Sequence, residues 1–305
     1  MTGLAPSAPA PIAPVRLPRG RGIGSRLVAG LLRSPTGLLG LGLVILVIVV
    51  AILASQLAPH DPIQQRIVSR LRPPGYVSAA GVSYPLGTDQ VGRDVLSRLI
   101  FGARVSLGLG FSVVVLGATI GVAMGLLAGL VGGFVETIIM RLVDALVSVP
   151  FLIVAVAVIA VFGPGLQQLI ILLTMFVWGQ FARLVRGDVL SVKEKEYIEA
   201  AFAIGASRLR VGWRHVLPNV LSPVIVLATF SVAQLIVAEG ALSFLGLGVP
   251  PPTPSWGSML SDGRGYIDNA WWMSVFPGLA ITLTVVGVNF LGDALRDIFD
   301  PRQRL

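Results

Sequence analysis

Six long apolar runs dominate the chain: Gly37 to Leu57, then residues 105–131, 143–162, 167–187, 219–247 and 273–293. An α-helix rises about 1.5 Å per residue, so roughly 20 apolar residues cross a hydrocarbon core of about 30 Å. Each run is therefore long enough to be a membrane span. The first holds 21 residues without a charge, more than the roughly 7–15 apolar residues of a cleaved signal, and is expected to stay as a span. The fourth is the weakest, because Gln167, Gln168, Gln180 and Arg183 interrupt it. Charged residues make up 12% of the chain, against about 25% in soluble domains, too few to coat a water-soluble body of this size. The chain has no cysteine, which removes disulfides, thiolate metal sites and cysteine nucleophiles. These features predict an all-α integral membrane protein with six transmembrane helices and, the number being even, both termini on one side.

The net charge of +8 is not gathered on one basic face, as nucleic-acid binding would need; the arginines punctuate the apolar runs. Residues 1–35 carry Arg16, Arg19, Arg21, Arg26 and Arg33 with no acid and read as a disordered basic cytoplasmic tail. With that tail inside, Arg141, the seven cations from Arg183 to Arg214, and Arg296, Arg302 and Arg304 are inside too, sixteen of the 23 Lys and Arg. The asymmetry favours this orientation. The expected organisation is the tail 1–35, a first transmembrane helix 36–57, an extracytoplasmic proline-rich loop 58–100, a five-helix core 101–295 with a cytoplasmic loop 190–217, and a cytoplasmic tail 296–305.

Several polar or small residues stand out within this frame. Gly117, Gly121, Gly125, Gly129 and Gly133 repeat every four residues and clear one side of a helix for close contact, either packing or a pathway or an interface with another chain. Glu239 lies inside the fifth run, where an ionised carboxylate facing lipid costs at least about 2.5 kcal/mol, so it must face protein, water or a partner. Arg141 and Asp144 stand three apart and are expected to pair. Asp89, Arg93 and Asp94 either stiffen the outer loop by mutual pairing or dock a partner. Trp256, Trp271 and Trp272 are expected near the membrane boundary.

The most informative stretch is Ser191 to Asn219. Lys193 to Ile204 has good helix formers, Gly205 is placed to end that helix in a left-handed residue, and Ser207 can cap a second one. In the second, Leu209, Trp213, Val216 and Leu217 lie opposite Arg208, Arg210 and Arg214, which predicts a helix along the membrane surface. The result is a protruding elbow, with small Ala200, Ala201 and Ala203 for close approach and Glu199 for orientation.

Glu199-Ala200-Ala201, Gly205 after three further residues, and His215-Val216-Leu217-Pro218-Asn219 resemble the coupling loop of binding-protein-dependent ABC importer permeases. Tyr84 to Arg98, Leu242 to Trp256 and Asp293 to Arg302 resemble the second permease subunit of dipeptide, oligopeptide and nickel importers; the resemblance covers roughly residues 30–303. It implies a type I ABC importer permease fold, with Glu199, Ala200, Ala201, Gly205, Ala206, Ser207, His215 and Pro218 facing the motor. It also implies a heterodimer with a second permease, two ATPase subunits that bind ATP and Mg, and an external solute-binding protein, the substrate being short peptides or else nickel or another small solute. The chain's two lysines, Lys193 and Lys195, follow Val192 and Glu194 rather than the glycine of a P-loop, so no cofactor is expected on this chain. An ATP-independent secondary transporter would show two matched, interrupted halves, and none is evident.

Overall fold

The structure, a computed structural model, describes residues 30–31 and 34–299. The basic tail expected over 1–35 and the end of the tail expected over 296–305 therefore fall mostly outside the described residues. Helix α1, Pro35–Ile52, starts where Ser34 accepts from the Gly37 N–H at 3.1 Å and Pro35 supplies a preset first turn. It ends earlier than the apolar run, and a separate turn, Ala54–Leu57, follows. Helix α2, Val95–Val131, begins about ten residues before its apolar run. The cause is Asp94, which caps it by accepting from Ser97 N at 2.8 Å, so that Arg98 and Arg104 ride in its first turns.

The third run forms two helices, α3 (Gly133–Ser148) and α4 (Phe151–Phe162), bent by 86°. Pro150 explains the break: it drives Val149 to extended φ −93, ψ 128, which no helix continues through. Helices α5 (Leu166–Lys193) and α6 (Glu196–Ala203) are followed by α7, Arg208–Phe244. Short α8 (Trp256–Gly263) and long α9 (Trp272–Phe299) complete the chain. Among the described residues, helices α1, α2, α5, α7 and α9 are each long and apolar enough to cross a membrane, and the bent pair α3–α4 makes six where it is counted as one broken span.

The tightest packing joins α2 to α5. A Cβ on Gly117 would meet Val177 at 2.9 Å, one on Gly125 the Ala182 carbonyl at 2.7 Å, and one on Gly129 the Val189 side chain at 2.6 Å. Gly117, Gly121, Gly125 and Gly129 thus receive the side chains and backbone of α5, whereas Gly133, expected to continue the row, starts α3 with nothing within 4 Å of its Cβ position. Likewise Gly40 of α1 lies against the backbone of Gly287 and Leu291 in α9. Around these seams Leu109, Val113, Leu169, Phe181, Val185 and Val189 form a continuous buried cluster, while Leu46, Phe111, Ile153 and Ile171 remain exposed on the perimeter, as a lipid-coated bundle requires.

The helices sort into two ends. One holds the α2–α3 turn, the α5–α7 elbow and the end of α9. The other holds residues 58–94, the turn at Pro164 and α8. Residues 58–94 form a small cap at this second end, with a two-stranded hairpin, β1 (Tyr76–Val77) and β2 (Ser83–Tyr84). An ion network fixes it: Asp89 Oδ2 accepts from Arg93 Nε at 2.6 Å and from Arg98, and Asp262 of α8 accepts from Arg93 at 3.3 Å and Arg98 at 3.1 Å. Asp94 is occupied in capping α2 rather than in the network. Asp89→Ala leaves two nearly buried guanidinium groups with one half-exposed partner, and removing one member of a buried pair costs about 3–5 kcal/mol. The expected outcome is faster protease cleavage within 58–94 with the membrane-embedded part intact, read by limited proteolysis and mass spectrometry.

The pairing expected between Arg141 and Asp144 does not form. Asp144 instead accepts from Arg183 of α5 at 2.9 Å, and Glu136 of α3 binds Arg186 of α5 through its Nε at 2.7 Å. These cross-helix pairs tether α3 to α5, a contact available only because the bend at Pro150 brings α3 across the end of the bundle.

Candidate functional site

The elbow between α5 and α7 is built by helix-end chemistry. Helix α5 stops at Lys193, whose Nζ donates to the Gly129 carbonyl at 3.0 Å near the C-terminus of α2, where a cation is favoured. Helix α6 then ends in a complete Schellman motif: the Gly205 N–H donates to Phe202 O at 2.9 Å and the Ala206 N–H to Ala201 O at 3.0 Å. Gly205 has φ +88, the left-handed conformation that glycine adopts without a steric penalty. Ser207 next accepts from the Arg210 N–H at 3.4 Å and caps α7.

The start of α7 differs from the expected surface helix. Arg208 to Phe244 is one continuous helix, widened to a π turn at Gly212–Val216. Pro218 accounts for the widening: its ring would crowd the carbonyl one turn back and it has no N–H to offer, so the preceding Leu217 N–H bonds five residues back to Gly212 O. The face turned inward is Val211, Gly212 and Val216, with Leu217 half-buried beside them, rather than Leu209 and Trp213; Gly212 leaves room for Leu130 of α2, whose Cδ1 would stand 2.6 Å from a Cβ there.

The elbow is thereby two-faced. Ile198, Ala201, Val211 and Val216 are buried and belong to the same apolar cluster as Val185, Val189 and Val220 of the long helices. Glu199, Ala200, Ala203 and Gly205 are exposed, together with Phe202, Ile204 at 87%, Leu209 at 70% and Trp213 at 64% exposure. Tyr197 closes the inner angle: its hydroxyl lies 3.4 Å from Asn219 Nδ2, which donates at 2.6 Å to the His215 carbonyl, and its ring meets the His215 ring edge-on at 6.3 Å. His215 and Ala206 are half-buried, and Pro218 and Ser207 are exposed. Sequence reasoning missed Tyr197, Lys193 and Asn219 as struts of the elbow; the partners of Lys193 and Tyr197 lie on another helix or beyond the turn, and Asn219 bonds back one turn within α7, to the His215 carbonyl.

The other sequence-selected residues sit elsewhere. Gly117, Gly121 and Gly125 face α5 within the subunit. Glu239, 1% exposed, faces α8: its Oε1 accepts from Ser243 Oγ at 2.7 Å and Ser255 Oγ at 2.8 Å. Trp256 and Trp272 are buried, their indoles donating to Leu99 O at 2.9 Å and Thr88 O at 3.1 Å, whereas Trp271 is half-exposed. The first two therefore pin the outer elements together rather than lying in a lipid boundary.

The fold and the elbow together define a multi-span helical membrane protein with one two-faced protruding turn. Residues 121–305 match the family described as the binding-protein-dependent transport system inner membrane component, and residues 26–74 match the N-terminal transmembrane domain of oligopeptide transport permease C. The chain belongs to this family and is a permease subunit of an ABC transporter. It is 45% identical over 270 residues to the dipeptide transport system permease protein DppC of Escherichia coli (strain K12), covering 88% of this chain and 90% of that one. It is 43% identical over 263 residues to the di/tripeptide transport system permease protein DppC of Pseudomonas aeruginosa (strain UCBPP-PA14), covering 86% and 87%. Among solved structures, an inward-facing form of the MetNI methionine ABC transporter aligns with a TM-score of 0.53 at 25% identity, over 67% of this chain and 97% of that one.

Proposed function

We propose that this subunit forms half of a pathway that brings short peptides into a bacterial cytoplasm, paired with a second, homologous permease. ATP hydrolysis then belongs to two separate ATPase subunits, an external solute-binding protein delivers the peptide, and both termini are cytoplasmic. The likeness to dipeptide and di/tripeptide permeases over most of the chain supports the substrate class. One observation carries the coupling role: the buried face of the elbow is continuous with the packed cluster of α2, α5 and α7, so a push on its exposed face moves the helices rather than bending a loop. Interiors packed this densely transmit displacement.

In this reading Glu199, Ala200, Ala201, Gly205, Ala206, Ser207, His215 and Pro218 form or support the motor-facing elbow. Glu199 supplies charge at its rim and the exposed Ala200 and Ala203 allow close approach, while Ala201, expected to face the motor, is buried and anchors the elbow to the bundle. The sixteen cations assigned to the elbow end by sequence support placing it in the cytoplasm. The test is uptake of a labelled dipeptide by the complete complex in proteoliposomes, with ATP enclosed and loaded binding protein outside. ATP-dependent accumulation is expected, and its absence with an assembled, ATP-hydrolysing complex overturns the peptide assignment. Glu199→Arg places the wrong sign on an exposed docking face; a cation in the first turn of α6 costs only about 0.3–1 kcal/mol, and uptake is expected to fall several-fold with normal subunit assembly, measured by co-purification beside transport.

A further inference from the structure

We propose that Glu239 is a positioning residue that pins α8 to α7, so that α7 and the outer cap of residues 58–94 move as one unit; this rests on the coupling role given above to the elbow at the other end of α7. At its first turn α8 is fastened twice. Ser255, while capping α8 by accepting from Ser258 N at 3.0 Å, also donates its hydroxyl proton to Glu239. Its neighbour Trp256 donates its N–H to Ser106 Oγ of α2 at 3.2 Å. Gly257 permits this closeness: a Cβ there would stand 2.8 Å from both Glu239 Oε2 and the Gly240 Cα.

At its last turn α8 is fastened again. Asp262 holds Arg93 of the cap and Arg98 of α2, the two arginines that grip Asp89. Helix α8 is therefore a strut with one end on Glu239 and the other on the cap. The strut meets α7 far from the elbow: about 30 helical residues separate Arg208 from Glu239, a span of roughly 46 Å. The cap presents Ile67 and Val68 to the outside, 74% and 89% exposed. A protein bound there and a motor bound at the elbow would each bias the same helix, and such linkage acts equally in both directions.

The hydrogen bonds at Glu239 need an acceptor oxygen rather than a charge. Both hydroxyls converge on Oε1, and Oε2 has no hydrogen-bond partner among the described residues. Glu239→Gln keeps that oxygen and Glu239→Ala removes it. Because the chain has no cysteine, Val68→Cys on the cap and Val237→Cys on α7 can carry spin labels, in a complex whose other subunits are cysteine-free. The interlabel distance is expected to stay the same in nucleotide-free and ATP-trapped complexes, and also with Glu239→Gln. With Glu239→Ala it is expected to broaden and shift with nucleotide, and stimulation of ATP hydrolysis by loaded binding protein is expected to drop at least fivefold.

A nucleotide-dependent shift of that distance in the otherwise unsubstituted complex overturns the proposal, as does Glu239→Ala retaining both the fixed distance and full stimulation. Either result in a complex that still takes up peptide leaves the transport assignment standing and removes only the strut.

Discussion

Gly205→Val is expected to reduce ATP-driven uptake at least tenfold while the subunit remains folded in the membrane. The folding argument is local. Nothing lies within 4 Å of a Cβ at this position, so the substitution meets no neighbour and its cost is conformational. Holding an L-residue in the left-handed region costs about 1–2 kcal/mol, and more for a β-branched one. That is small against a bundle whose buried cluster runs through five helices. It is large against the two hydrogen bonds that define the end of α6, from Gly205 to Phe202 and from Ala206 to Ala201. Relieving the strain rotates the chain at Gly205 and releases those bonds. Ser207 then no longer caps α7 at the same angle, and Phe202, Ile204 and Leu209 no longer present one surface. A tenfold loss corresponds to about 1.4 kcal/mol of misplaced contact free energy, within what such a rotation supplies. Asn tolerates the left-handed region, so Gly205→Asn is expected to keep most of the uptake. Transport and ATP hydrolysis in proteoliposomes read the difference, and wild-type uptake by the Val variant removes the elbow from the coupling mechanism.

What the sequence made legible follows the range of each interaction. The cap at Ser207 and the left-handed turn at Gly205 are set within a few residues, and the structure places helix ends at those signals, whereas Asp94, read as a residue of the outer loop, caps α2 and lengthens it beyond its apolar run. Pro150 also announces its break at Val149, although the apolar run on either side conceals it. Longer-range choices were not legible. Spacing on one helix favours Arg141 with Asp144, but the bend lays α3 against α5, and Arg183 takes the carboxylate. Pro218 reads as a boundary between a surface helix and a span; instead one π turn absorbs its missing donor, and the helix continues. Stiffening of the outer loop could be anticipated from Asp89 and Arg93, yet Asp262, the residue that ties the loop to α8, lies 164 positions beyond Arg98. The elbow itself was readable as a helix, a turn and a helix. Its buried and exposed faces were not, because they depend on where α2 places Leu130 and α5 places Val189.

The glycine row shows how a local pattern acquires a large effect through a distant partner. Gly121→Leu is expected to abolish recovery of folded subunit, and the obstacle is backbone rather than a side chain that can turn away. A Cβ at Gly121 would stand 2.5 Å from the Trp178 carbonyl oxygen and 3.0 Å from the Ala182 N–H nitrogen, with the Phe181 Cβ nearer still. Overpacking a core costs typically about 1–3 kcal/mol where neighbours can shift, and more where they cannot. Here relief requires α2 and α5 to separate along a seam that also holds Gly117 against Val177 and Gly125 against the Ala182 carbonyl. Without close backbone approach, little else drives two helices together in lipid. Gly108 supplies the control: it lies on the same helix, is exposed, and has nothing within 4 Å of its Cβ position. Gly108→Leu is therefore expected to leave the yield of monodisperse protein in mild detergent and its thermal midpoint near wild type, and Gly121→Leu to lower that yield at least tenfold. Equal recovery of the two would mean that the α2–α5 seam is not what holds the bundle, and with it the elbow, in place.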